Sequence, residues 1–246
     1  MTEALHFKAE TRQLLNILIH SLYADRDVFL RELVSNASDA LTRASFEMLT
    51  QRDVLDPEAE LGIWITTDPN ENKLIIRDTG VGMTAEEMAE NLGTIAHSGA
   101  KAFLEAAKGN ENKVSDIIGQ FGVGFYSAFM VAEEITVISR SFRPDAQAAK
   151  WISVGEDTFT IEPAEKETRG TEIIIKLKAD ASEYTQDFKL RQIIKKHSDF
   201  IPYPVYVGEK SEQANSVTAI WRQQPRQVDE DLYNSFYRQL TLDTEE

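Results

Sequence analysis

Leu14, Leu15, Leu18, Ile19 and Leu22 fall on one face of "ETRQLLNILIHSLY" and predict an amphipathic helix over 10–23, after a short strand in "ALHFKA" (4–9). A second helix is expected from about Val28 to Leu49, entered after Asp25 and Asp27, which suit an N-terminus. "GIWIT" and "KLIIRD" flank the turn-rich "TDPNEN" and read as a β-hairpin. "TAEEMAEN" opens with Thr84 and Glu87 in capping-box positions and should stop at Gly93, while "GAKAFLEAAK" reads as a helix ending at Gly109. From Asn91 to Gly124 the chain is polar and glycine-punctuated, the pattern of a mobile flap. Period-2 alternation then predicts strands at "EITVISR", "KWISV", "DTFTI" and "TEIIIKL", and a helix follows at about 185–197. Helices first and a run of strands later indicate an α+β sandwich with a mostly antiparallel sheet. After "IPYPVYV", the polar "GEKSEQANS" (208–216) reads as a linker, and 217–246, with "VTAIW" and "DEDLYNSFYRQL", as the start of a further domain.

Two of these elements carry polar residues in a pattern. On the second helix, Glu32, Asn36, Asp39 and Arg43 follow spacings of four, three and four, and lie within roughly 60° of arc. Such a stripe is either a solvated face or the wall of a site. Asn36 is a poor mid-helix residue, and the small Ala37, Ser38 and Ala40 around it leave room for a ligand. A glutamate and an asparagine one turn apart can orient a water and offer oxygen to Mg²⁺. In "IIRDTGVGM", Asp78 ends a strand before Gly80 and Gly82; the segment is either a turn or a carboxylate fixed at a sheet edge. There it would accept a hydrogen bond from an exocyclic amine, which adenine has at its 6-position and guanine lacks.

"IIGQFGVGFYSAFMVA" (117–132) places Gly119, Gly122 and Gly124 in an apolar run. The spacing is neither G-x-G-x-x-G nor the P-loop pattern, so the loop either receives phosphate at a helix start or serves packing. Thr171, after Gly170, opens a strand, and Lys101 lies in the flap within reach of a phosphate. Asp78-Thr79-Gly80 matches the aspartic-protease signature, but that mechanism needs two carboxylates sharing a proton, and one copy is present. The four histidines have no metal-ligand spacing, and no G-x-S-x-G elbow occurs.

Composition narrows the classes. With 26 basic against 41 acidic side chains the formal charge is −15, which disfavours binding to a nucleic-acid backbone. There is no cysteine, so disulfides and thiolate metal sites are excluded. The N-terminus lacks a secretory pattern, and no apolar run approaches the roughly 20 residues that span a bilayer, so a cytoplasmic protein without membrane partners is expected.

Taken in chain order, Glu32-x-x-x-Asn36-x-x-Asp39-Ala40, Asp78-x-Gly80-x-Gly82, Gly119-x-x-Gly122-x-Gly124 and Gly170-Thr171 resemble the left-handed ATP-binding (Bergerat, or GHKL) fold. That two-layer sandwich is shared by type II topoisomerases, MutL repair proteins, sensor histidine kinases and one chaperone family. "FLRELVSNASDA", "NLGTIAHSGAKAF" and "IGQFGVGFYSAFMVA" are similar to the ninety-kilodalton heat-shock chaperones, bacterial type, over about residues 4–207. The resemblance implies an N-terminal ATP-binding domain at 1–207 with a lid at about 91–124. Asp78 would hold the adenine amino group, with Thr171 supporting it through water. Asn36 would coordinate Mg²⁺ and phosphate, and Glu32 would be the general base. Asn91, Lys101 and Phe125 would be lid-side contacts, Met83 and Ala40 would line the base, and Gly119 to Phe125 would close over the phosphates. Within that turn Gln120, Phe121, Gly122, Val123 and Gly124 count as nucleotide contacts, as do Asp39, Gly82 and Leu92.

The family assists the folding of client proteins. It takes a catalytic arginine from a middle domain and dimerises through a C-terminal domain. Weak ATP hydrolysis and a monomeric state are therefore expected of this chain. A MutL-type protein would need a basic groove, and an interaction module without nucleotide would not need Glu32, Asn36 and Asp78 together.

Overall fold

The computed structural model describes residues 4–7, 25–93, 124–156, 158–210 and 212–217, with the isolated positions 233, 234 and 237. The helices expected at 10–23 and 99–108 lie outside these residues, as does most of the expected flap. In chain order the described elements are β1 (Ala4–His6), α1 (Val28–Thr50), β2 (Ile63–Asp68), β3 (Lys73–Asp78), α2 (Ala85–Gly93), a 3-10 helix (Gly124–Met130) and β4 (Ala132–Arg140). Then come β5 (Ala149–Ser153), β6 (Thr158–Pro163), β7 (Gly170–Leu177), a 3-10 helix (Ala179–Thr185), α3 (Asp187–His197), β8 (Val205–Val207) and β9 (Glu212–Gln213).

The strands form one sheet in the order β1-β6-β5-β4-β7-β3-β2-β8-β9. Every described pair is antiparallel except β2 with β8, so the expectation of an α+β fold on a mostly antiparallel sheet holds. The β2–β3 hairpin pairs Ile63 with Asp78 and Asp68 with Lys73 around the turn read from "TDPNEN". Because successive strand residues face opposite sides, Ile63, Ile65, Leu74, Ile76, Val137, Trp151 and Ile175 all bury one face of the sheet. The helices cover that face.

α1 buries Val28, Phe29, Leu30, Leu33, Val34, Ala37, Leu41 and Ala44, a stripe at helical spacing. It starts at Val28, as expected, but by a different local arrangement. Asp27 stands at the N-cap position but makes no capping bond. Its carboxylate instead accepts hydrogen bonds from Tyr184 Oη at 2.9 Å and Lys189 Nζ at 3.2 Å, which fastens the start of α1 to the 3-10 segment and α3. At α2 the capping box is formed as read. Thr84 N–H donates to Glu87 Oε2 at 2.9 Å, and Glu87 N–H donates to Thr84 Oγ1 at 3.3 Å.

The polar segment expected as a linker turns back on the sheet. β9 pairs with β8, and the buried Asn215 accepts from Val205 N–H at 2.9 Å while donating to the carbonyls of Ile201 and Tyr203 at 3.2 and 2.9 Å.

Candidate nucleotide site

The sheet register stacks a polar row on an apolar one. Ile76, Ile173, Val137 and Trp151 are cross-strand neighbours through β3, β7, β4 and β5. One step toward the end of β3, the core-facing positions become Asp78, Thr171 and Ser139, with Thr171 and Ser139 directly paired. Against this end of the sheet lies α1, and between them opens a cavity of about 720 Å³, well within the range that encloses a small molecule. Glu32, Asn36, Asp39 and Arg43 all line it, so the polar stripe of the second helix is a wall of the cavity, with Asn36, Asp39 and Arg43 exposed to solvent. Asp78, Ile76, Ile173 and Thr171 form the floor, and Met83, Asn91, Leu92, Gly124 and Phe125 close the sides.

Asp78 is buried, and its Oδ1 accepts the Gly80 N–H at 2.8 Å. Burial pushes its carboxyl up to about 6, while the N–H groups of Gly80 and Thr171 and the cations Lys166 and Arg169 pull the other way. The carboxyl therefore stays ionised at neutral pH while remaining poorly solvated, which suits it to accept a hydrogen bond from a ligand amine. Thr171 Oγ1 lies 2.8 Å from Ser139 Oγ, and Ser139 Oγ accepts the Met83 N–H at 2.9 Å. Ser139 thus joins the floor to the β3–α2 loop. The sequence reading missed it, although the alternation in "EITVISR" puts Ser139 on the same face as the buried Ile135 and Val137.

Glu32 sits on the second turn of α1, where Arg31 Nε and Nη2 donate to its Oε1 at 3.1 and 2.9 Å. Its other oxygen faces Gly124, where an added Cβ would lie 2.4 Å from Glu32 Oε2. The glycines near the cavity therefore owe their small size partly to protein neighbours and not only to a ligand. At Gly80 the space a side chain would fill is taken by Ala40 of α1, at 2.6 Å from its Cβ. Gly82 has φ +60, and a Cβ there would meet the Arg140 carbonyl oxygen at 1.8 Å.

Of the residues singled out from sequence, Glu32, Asn36, Asp39, Ala40, Asp78, Gly82, Met83, Asn91, Leu92, Gly124, Phe125 and Thr171 converge on this one cavity. Lys101, Gly119, Gln120, Phe121, Gly122 and Val123 lie outside the described residues. Glu87, Ser141 and Phe142 also line the cavity and were not anticipated as site residues. Glu87 is held by Arg143 Nη1 at 3.1 Å, and that guanidinium lies over the Phe142 ring at 5.2 Å.

Residues 26–193 match the family model described as histidine kinase-, DNA gyrase B-, and HSP90-like ATPase. Among curated proteins, the chain is 47% identical over 238 residues to the chaperone protein HtpG of Chlorobium chlorochromatii, covering 96% of this chain and 38% of that one. The corresponding proteins of Chlorobaculum tepidum and Desulfitobacterium hafniense are 46% identical over 241 residues and 47% over 239. They are matched over 96% and 97% of this chain and 38% and 39% of their own lengths, so the chain spans about two fifths of these relatives. The matched span runs from the start of α1 to the middle of α3 and includes every described side chain of the cavity. The chain belongs to the histidine kinase-, DNA gyrase B- and HSP90-like ATPase family, and its likeness within that family is to the HtpG chaperones.

Proposed function

We propose that the cavity binds ATP with its adenine on Asp78 and its phosphates along the Glu32–Asn36 wall, and that hydrolysis there serves a chaperone acting on client proteins. The observation that carries this is the pairing of one buried, ionised carboxylate on the floor with a polar helix stripe on the wall of the same cavity. Asp78 accepts the adenine 6-amino group, and the Ser139–Thr171 pair holds the hydroxyl beside it. A guanine oxygen at the same place would face the carboxylate and be repelled.

The wall itself is acidic. Among the described residues Glu32 and Asp39 line it with a single arginine, Arg43, so these side chains alone do not hold a polyphosphate by charge. Among the described residues no group of three or more His, Asp, Glu or Cys side chains forms a metal cage. What the wall offers is amide and carboxylate oxygen from Asn36 and Asp39, and this fits Mg²⁺, which takes one or two protein oxygens and fills its shell with phosphate and water. Asn36 would hold the ion, which when bound offsets phosphate charge.

Glu32 then acts on the attacking water. Arg31 occupies Oε1, leaving Oε2 to take the water proton as the oxygen attacks the γ-phosphorus and the bond to ADP breaks. Glu32→Gln is expected to lower kcat by about 10²- to 10⁴-fold, the usual worth of a general base, with ADP affinity nearly unchanged. Paired phosphate-release and calorimetric measurements check this. Hydrolysis that survives the substitution would remove Glu32 from the reaction, and a parallel loss of ADP binding would make it a binding residue. Dimerisation and client binding belong to the same proposal and rest on the likeness to chaperones alone.

A further inference from the structure

Arg169 is one of the largest fully buried side chains among the described residues, only 1% exposed, yet no carboxylate among them pairs with its guanidinium. Nη1 donates to the Asp56 carbonyl at 2.7 Å, and Nη2 approaches Met48 Sδ at 3.9 Å. Among the described residues Nε has no partner, and the one carboxylate contact is from the backbone, Arg169 N–H to Asp56 Oδ2 at 3.3 Å. The Asp56 backbone is itself in the left-handed region, φ 50, a conformation that an aspartate adopts at some cost. A buried charge with incomplete partners does not repay its desolvation, and well-packed apolar replacements of buried ions are often neutral or stabilising. Stability alone does not account for an arginine here.

The next two residues are part of the floor. Gly170, φ +102, packs so closely on the end of β3 that an added Cβ would lie 2.2 Å from the Asp78 carbonyl oxygen. Thr171 follows and meets Ser139. The loop before β7 is gripped from its other side by Arg140, whose Nη1 donates to the carbonyls of Lys166 and Glu167 at 3.0 and 2.9 Å. We infer that Arg169 is a positioning residue of the base-binding floor: anchored on Asp56 and Met48, it sets Gly170 and Thr171 against Asp78. This rests on the reading of Asp78 as the adenine acceptor. Supporting it, Arg169 and Lys166 are the cations whose fields favour the ionised form of Asp78, alongside the N–H groups of Gly80 and Thr171.

Two variants separate field from framework. Arg169→Met fills the space without charge, whereas Arg169→Lys keeps a charge and loses the fork. ADP affinity is measured by calorimetry from pH 5 to 8 for both and for the unsubstituted chain, beside their melting temperatures. Arg169→Met is expected to melt near the unsubstituted chain, to bind ADP roughly three- to tenfold more weakly at neutral pH, as for one lost hydrogen bond, and to lose affinity at a higher pH midpoint. Arg169→Lys is expected to weaken binding while keeping the midpoint. Should Arg169→Met fail to fold, Arg169→Lys decides alone: ADP affinity equal to that of the unsubstituted chain overturns the inference. Variants that lose affinity only in step with melting temperature, with no midpoint difference between them, also overturn it and leave Arg169 a packing residue. Failure of the unsubstituted chain to bind ADP would instead refute the nucleotide reading itself.

Discussion

Asp78 occupies a core-facing position of β3, where the pleat that buries Leu74 and Ile76 calls for another apolar side chain. The carboxyl placed there has its pKa raised by burial to about 6 from an ordinary value of 3.8. A group that binds its proton more tightly when folded adds stability at acid pH, present below about 4 and lost as the pH rises through 6. At pH 7.5 the ionised carboxylate therefore costs the unliganded fold on the order of 1–3 kcal/mol. Asp78→Asn is expected to raise unliganded stability at pH 7.5 by about 1 kcal/mol in urea titration, with the advantage vanishing near pH 4. ADP affinity of the unsubstituted chain should follow the ionised fraction, holding above pH 7 and falling below 6. A flat affinity between pH 5 and 8 would separate Asp78 from the ligand. At this scale the sequence was informative where a residue broke its local pattern. Asp78 at a strand end and Asn36 inside a helix both did so, whereas Ser139 is an ordinary strand residue until the register sets it beside Thr171.

Individual elements were legible when their own sequence decides them. α1, the β2–β3 hairpin and the α2 capping box depend on periodicity, turn residues and local side-chain bonds, and all three form close to their expected limits. What local pattern cannot supply is a partner from elsewhere. Asp27 reads as a cap, but Tyr184 and Lys189 arrive from far along the chain and take its carboxylate. The glycine run reads as either phosphate-receiving or packing, and its one described glycine, Gly124, both lines the cavity and opens a buried 3-10 helix that lies against Glu32 of α1. That contact makes the two elements one mechanical unit. Lys178 fixes the far end of the 3-10 helix, its Nζ donating to the carbonyls of Phe129 and Met130 at 2.8 and 3.3 Å. With the helix so held, Gly124→Ala must push the Glu32 carboxylate aside. Turnover should fall at least tenfold for a side-chain displacement of this kind, while ADP affinity changes little. Unchanged turnover would mean that Glu32 adopts a different position during hydrolysis.

Across the whole molecule, the α+β class and the antiparallel sheet followed from element order, but the strand order did not. β8 joins β2 in parallel, and β9 then extends the sheet from a segment whose composition reads as a linker. Polar side chains there are used inwardly. Asn215 satisfies one amide and two carbonyls, and Ser216 and Val217 donate their N–H groups to Asp199 at 2.8 and 3.0 Å. Asn215→Ala leaves those buried groups without partners and is expected to cost about 1–3 kcal/mol by denaturant titration. For the same reason a chain ending at residue 207 should melt below one ending at 217, and equal melting temperatures would show that β9 adds nothing. The formal charge of −15 sets a further constraint at this scale, since an anionic ligand must be drawn in against the average field. On the proposed reading its recognition depends on the few groups of the floor and wall, and a base contact at Asp78 would give the choice between nucleotides. Calorimetry of the chain with Mg-ADP, beside GDP and beside Asp78→Asn, tests this most directly. Binding of ADP alone, abolished by the substitution in a protein that remains folded, is the expected result. Equal binding of GDP, or ADP binding that survives Asp78→Asn, would contradict it.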